Sequence, residues 1–339
     1  MVEADNATRP LQLGARRRSL IAGLCVVLTV AGCARTQDGD TAGGGAPRTP
    51  PGGTAAALPP YVTDSIKLSP LPNFAVGAFG SLWVTLGNGT VAAIDPSKSE
   101  VVKEYRVGGK PGPIVSGFGS LWVADGGTGR LTRIDPRNGK VIARIRIPGG
   151  AYGLAVGFGS VWTAGVQWQG LAKVDPRTNK VTARHPADGN DIAVGFGSVW
   201  VTGDSDVTRL SPHDLSVESH VKTRTSVHSL GVGSGSVWAS SGDGGDYVYR
   251  VDPKRNALAA TIKTDAASFP DRVAFSPGAV WVGEFQSGKV LDIDPKQSAI
   301  VRRLPAGDGS AVVTVAFGSL WVVNFYSNSV WRISLPLKD

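Results

Sequence analysis

Gly117-Phe118-Gly119-Ser120-Leu121-Trp122-Val123 is a phrase that the chain repeats from end to end. Variants stand at Ala78–Val84, Gly157–Thr163, Gly195–Val201, Gly233–Ala239, Ser276–Val282 and Ala316–Val322. The seven tryptophans they carry, Trp83, Trp122, Trp162, Trp200, Trp238, Trp281 and Trp321, are spaced by 39, 40, 38, 38, 43 and 40 residues. A period near forty, built from short alternating runs without a helical pattern, is the sequence signature of an all-β, seven-bladed β-propeller with four strands per blade. Within the phrase, glycine supplies the positive φ of a tight hairpin, and Leu-Trp-Val makes a buried strand. The tryptophan fills the wedge between blades and is core, not ligand.

Around the phrase, each repeat divides into four strands. In the second repeat these run from Gly112 to Gly117, Ser120 to Ala124, Arg130 to Ile134 and Lys140 to Ile147. The third and outer strands are joined by Asp-Pro steps at Asp95, Asp135, Asp175, Asp252 and Asp294, with Ser211-Pro212 as the variant. Proline presets φ in a type I turn and the aspartate caps the turn backbone, so turn chemistry accounts for these five carboxylates without a metal. The last repeat ends after Ser329 to Ser334 and lacks an outer strand. Tyr61 to Leu68 (YVTDSIKL) alternates and is otherwise unassigned, so the sequence predicts that it completes blade seven and closes the ring.

The 339 residues are 42% hydrophobic and 18% charged, with 45 glycines and 22 prolines, which suits a large core with many turns. Almost no helix is expected outside the N-terminus. Four arginines and two acids precede Cys33, which leaves +6 of the formal +8 for the rest of the chain. The basic residues are scattered among turns, a distribution that argues against a nucleic-acid partner and allows weak attraction to anionic lipid or wall polymer.

Residues 1–32 read as a signal peptide: Arg16-Arg17-Arg18, an apolar run from Leu20 to Val30, then small residues. Arg17-Arg18-Ser19-Leu20-Ile21 loosely fits a twin-arginine signal, so the export route stays open between that and the general secretory one. Val30-Ala31-Gly32-Cys33 resembles a bacterial lipobox, which implies that Cys33 is acylated and becomes the mature N-terminus. The expected location is then the outer face of the cytoplasmic membrane, the lipid bilayer being a partner through Cys33. Cys25 would leave with the signal, so the mature chain would hold no disulfide and no thiolate metal site. Residues 33–60, rich in Gly, Pro, Ala and Thr, read as a disordered tether, and residues 61–339 as the propeller, expected as a monomer.

Propellers take ligands around the mouth of the central channel. Ten residues before each tryptophan stand Asn73, Gly112, Tyr152, Asn190, His228, Asp271 and Ala311. Three after stand Leu86, Asp125, Gly165, Gly203, Ser241, Glu284 and Asn324. Both registers are expected around one face, giving a polar rim of Tyr152, Asn190, His228, Asp271, Glu284, Asp125 and Asn324. Trp168, Phe285 and Tyr326 are the nearby apolar platforms. Of the four histidines only His228 falls on the inner register; His185, His213 and His220 read as surface residues. No serine-nucleophile, phosphate-loop or paired-histidine zinc motif occurs.

The repeated V-G-F-G-S-L-W-V … R-I-D-P-x-x-x-K-V resembles the streptogramin (virginiamycin B) lyase group of propellers and, more loosely, YVTN and NHL-type repeats. That resemblance implies metal-assisted elimination on a cyclic depsipeptide, with a histidine on one inner strand and Glu-x-His on the next. His228 matches the first. Phe269-Pro270-Asp271 stands in place of Glu-x-His, and Asn73 where a tyrosine is expected. Two functions follow as expectations. In the first the propeller is a non-enzymatic module that binds a small molecule or protein without a cofactor. In the second it is a lyase or hydrolase dependent on Mg or another divalent metal, with His228, Asp271 and Glu284 as catalytic candidates.

Overall fold

The computed structural model describes residues 57–125, 128–147, 151–165, 170–186, 189–242 and 245–337. The signal peptide, Cys25, Cys33, most of the tether and Trp168 lie outside them. The unit from Ala55 to Asp339 is all-β: seven four-stranded antiparallel sheets form a seven-bladed β-propeller, with no helix among the described residues. The inner strands are Pro72–Ala78, Pro111–Gly117, Gly153–Gly157, Ile192–Gly195, Ser229–Gly233, Pro270–Ser276 and Val312–Ala316, heading blades 1 to 7. Blade 7 is composite. Val62–Lys67 pairs antiparallel with Ser329–Ser334, Val62 opposite Ile333 and Ile66 opposite Val330, as the unassigned N-terminal strand requires.

The repeated phrase has a closed physical logic. Phe118 (φ 52°) and Gly119 (φ 69°) are the two central residues of a hairpin between the paired Gly117 and Ser120. Positive φ at both positions is the type I′ turn, whose twist suits adjoining strands. Trp122 then points into the seam between blades with no solvent exposure. Its indole N–H donates to the Gly117 carbonyl at 3.0 Å, and the corresponding bond recurs in every blade, with the Ser276 hydroxyl accepting from Trp281. A buried indole thus keeps its one donor satisfied. Gly117 must be small: a Cβ there would meet Val156 of the next inner strand.

The core lies between blades. One cluster joins Trp122, Ala124 and Leu131 of blade 2 to Leu154, Val161 and Val174 of blade 3. At the closure, Ile66 and Leu68 pack with Leu82, Val84, Trp321 and Val330.

A second device ties each blade to the next. Arg133 lies over the Trp122 ring, its carbon 4.9 Å from the centroid, and donates to the Pro176 carbonyl and to Asn179 Oδ1 (3.0 Å), both in the Asp-Pro turn of blade 3. Lys173 reaches Pro212, Arg209 reaches Pro253, Arg250 reaches Pro295 and Arg332 reaches Ser99, each from above its own tryptophan. Blade 1 has Ala93 at this position; there Tyr105 stacks on Trp83 and presses on Gly139 of the next turn. Blade 6 has Asp292, paired with Arg302 at 3.2 Å. In blade 7 the third and outer strands come from distant parts of the chain and no turn joins them, so blade 6 has no turn to grasp. The turn aspartates do what the sequence implies: Asp135 Oδ1 accepts the Arg137 N–H at 3.0 Å, and the other four behave alike.

Candidate functional site: the channel mouth

Inner strands start at the mouth and run away from it, so residues just before or within their first turn of pleat line the opening. Tyr152, Asn190 and His228 are placed there by backbone bonds to the second strand: Tyr152 N–H to the Ala164 carbonyl, His228 N–H to the Ser240 carbonyl, Asn190 N–H to the Thr202 hydroxyl. Asp271, second residue of its strand, meets His228 from the neighbouring blade. His228 Nε2 lies 3.6 Å from Asp271 Oδ1, with the side chains 20% and 13% exposed. This oxygen also faces Arg272 Nε at 3.7 Å, and no neighbour comes within hydrogen-bond range of it.

One residue deeper lies an ion pair that the sequence reading missed. Arg272 of blade 6 donates to Asp191 Oδ2 of blade 4 at 2.6 Å, while Leu230 of the intervening blade 5 gives its N–H to the same oxygen at 2.9 Å. The guanidinium also covers the Phe74 ring of blade 1 at 4.9 Å. Burial opposes its charge, but the carboxylates of Asp191 and Asp271 outweigh that and hold its proton above the ordinary arginine range. The pair spans the channel and floors the mouth. Its signal was available: Asp191 and Arg272 occupy the same position of their repeats, one residue beyond the chosen register.

The exit register behaves differently. Asp125, Glu284 and Asn324 are 6%, 0% and 0% exposed. Each turns into the hairpin after its own strand: Asp125 Oδ1 accepts the Thr128 N–H at 3.1 Å, Glu284 Oε2 the Ser287 hydroxyl at 2.6 Å, and Asn324 Nδ2 donates to Ser329 at 3.4 Å. Glycines of the preceding loop close over two of them; a Cβ on Gly109 would strike Asp125, and one on Gly307 would crowd Asn324. The expected single rim is therefore two features, an open inner ring and a buried set of hairpin caps. Burial raises the Glu284 carboxyl above the usual range, against hydrogen bonds from Ser287 and Ser268 that lower it.

Glu284 is thus committed to Ser287, and among the described residues no three His, Cys, Asp or Glu side chains group as a metal site requires. His228, Asp271 and Glu284 do not fit a shared divalent ion.

Aromatic rings extend the mouth across three blades. His228 tilts against Phe269 (centroids 5.6 Å apart), Phe269 against Phe285 (5.8 Å), and Phe285 against Tyr326 (5.2 Å) and Phe325 (6.4 Å). Phe285 and Tyr326, expected as platforms, border a depression of about 320 Å³ with Gln286, Ser287, Asp308 and Gly309. A second cleft on this face, about 280 Å³, lies between blades 3 and 4. His185 and His220 line it with Asp206 and Lys222, which form an ion pair at 3.0 Å.

The fold is a seven-bladed propeller, and its mouth combines a run of aromatic rings with a few polar and charged side chains. No family model matches the chain, and no curated protein sequence does. Solved structures match its fold. A chain of Kuenenia stuttgartiensis hydrazine synthase aligns with TM-score 0.71 at 13% identity, covering 80% of this chain and 98% of that one. A streptogramin B lyase aligns with TM-score 0.71 at 16% identity, covering 80% and 96%. A chain of the mitotic checkpoint complex gives 0.71 at 12% identity, covering 91% and 100%. At such identities the likeness is one of fold.

Proposed function

We propose that the protein is an exported lipoprotein, anchored through Cys33 to the outer face of the cytoplasmic membrane, whose propeller mouth binds a small molecule or a protein segment. One observation carries the binding role: the unbroken path of rings from Phe269 through Phe285 to Tyr326, ending on the His228–Asp271 pair. A concave, largely aromatic surface with a few convergent polar groups is the arrangement that ligand sites adopt. The signal peptide and lipobox support export and anchoring.

The test is a thermal-shift screen with short cyclic and linear peptides bearing aromatic side chains. Compounds that raise the melting temperature should lose their effect in Tyr326→Ser and in His228→Ala. Binders indifferent to both changes would move the site elsewhere. For the anchor, Cys33→Ser should shift the protein out of the membrane fraction; unchanged fractionation would end that part of the reading.

The approach of His228 to Asp271, without Glu284, favours a second reading, a metal-dependent lyase that takes its remaining ligands from outside these three residues. Ligand groups must be deprotonated, so metal would then stabilise the fold more at about pH 8 than at about pH 5.5, and His228→Ala would abolish the effect. Our reading expects no such stabilisation with Mg²⁺, Mn²⁺ or Zn²⁺.

A further inference from the structure

The face opposite the mouth carries an arrangement that the fold does not demand. Phe79, Phe118, Phe158, Phe196 and Phe317 sit at the tips of the hairpins joining inner to second strands, between 41% and 50% exposed. They belong to blades 7, 1, 2, 3 and 4, which are consecutive around the ring, so they form one arc beside the channel exit. All five lie at positive φ, between 50° and 53°. That backbone region disfavours a residue with a bulky side chain, and type I′ turns prefer Asn there. Phe317 does approach Gly77 of blade 1, yet remains 41% exposed. Neither turn geometry nor burial calls for phenylalanine at these positions. Several exposed large apolar side chains gathered on one face mark an interaction site.

The surroundings say what it meets. In an antiparallel four-stranded blade, the hairpin between the first two strands and that between the last two lie at the same end. The Ser-Pro turn of blade 4 carries exposed Asp214, but the Asp-Pro turns of blades 1 to 3 flank the phenylalanines of those blades with exposed Lys98, Arg137, Lys140 and Arg177, and those of blades 5 and 6 add Lys254 and Lys296 along the rest of this face. Their aspartates are drawn inward, accepting backbone N–H groups of the turn. Bulky apolar tips within a basic border match a bilayer interface bearing anionic headgroups. Chain direction agrees. Val62 pairs with Ile333, at the end of the third strand of blade 7, so the segment preceding residue 62 joins the propeller at this same face.

The geometry points to direct docking of this face on an anionic lipid bilayer, the phenylalanines entering the interface and the mouth turned away from it. The contact is separate from any acyl chain on Cys33, and its test uses the unit from Ala55 to Asp339, which closes on its own core and lacks that cysteine.

Cosedimentation would compare vesicles of phosphatidylcholine alone with vesicles of phosphatidylcholine and phosphatidylglycerol in equal parts. The unit should bind the anionic vesicles preferentially and release them as salt rises. The triple variant Phe118→Asn, Phe158→Asn, Phe196→Asn should bind at least about tenfold more weakly, the apolar insertion being lost. It should also melt at or above the parent temperature, because Asn-Gly suits the turn, so weakened binding would not reflect unfolding. Equal binding by parent and variant overturns the proposal, as does indifference of the parent to phosphatidylglycerol. Self-association of the parent that the variant abolishes, with no vesicle binding by either, overturns it in favour of an interface between two copies of the chain.

Discussion

Arg133 bridges two blades: it rests on its own Trp122 and gives its N–H to the Pro176 carbonyl of the following blade. The contact combines a cation over an indole with charge-assisted bonds to the Pro176 carbonyl and to Asn179 Oδ1 of that turn. Arg133→Ala should therefore destabilise the ring by about 2 kcal/mol, measured as a lower denaturant midpoint. Arg133→Lys should retain part of this, since Lys173 makes the shorter version of the same reach. A loss no larger than that of an exposed arginine would show the clasp to be idle.

The ion pair across the mouth makes a sharper prediction. Asp191→Asn leaves Arg272 charged, mostly buried and short of its main partner. Removing one member of a buried pair costs about 3–5 kcal/mol, so the variant should melt well below the parent. Asp191→Leu combined with Arg272→Met should recover much of the loss. A double variant as weak as the single one would show that the pair is not the cause.

Glu284 predicts a pH dependence. Its folded-state pKa is raised, so its favourable contribution is complete below the ordinary glutamate range and is lost as pH rises through the raised value. Above the ordinary glutamate range the buried carboxyl is therefore a liability. Glu284→Gln should be more stable than the parent at neutral pH, and the advantage should fade in acid. Chemical denaturation at several pH values checks this; an advantage that grows in acid would reverse the sign.

Removing Tyr61–Leu68 should strip blade 7 of its outer strand, expose the edge of Ser329–Ser334 and unseat Ile66 and Leu68 from their cluster. The shortened domain should melt far lower and aggregate. Melting like the parent would mean that the ring does not depend on this strand.

Blade number, strand limits and ring closure were all legible, because each rests on something local and repeated: a tryptophan at fixed intervals, a turn signal, an unpaired alternating run. The second repeat was expected from Gly112 to Ile147, and its strands run from Pro111 to Arg146. The mouth was half legible. The inner register gave His228 and Asp271 correctly as neighbours, since inner strands border the channel. The exit register misled because the second strand has a blade on either side, so Glu284 and Asn324 face protein in every orientation. The clasp was written in the sequence as a basic residue two positions before Asp-Pro, in Arg133 and Arg250 for example. Its partner, however, is 43 residues away for Arg133, a distance that no local pattern reports.

Composite blade 7 also sets an order in time. Val62–Lys67 is the first strand of the propeller to be synthesised, and its partner Ser329–Ser334 is the last. Until Ser329–Ser334 has been made, the opening strand lacks its partner, and the earlier blades stand as an unclosed crescent with edges at both ends. Closure joins residues separated by nearly the whole domain, which makes it a slow, late event. Every intermediate before it exposes Leu82 and Val84 on one side and the face of blade 6 on the other. The same strand that seals the finished ring thus leaves the nascent one open until its partner emerges, and any factor that guards this protein in transit has to guard it until Ser329–Ser334 has been made.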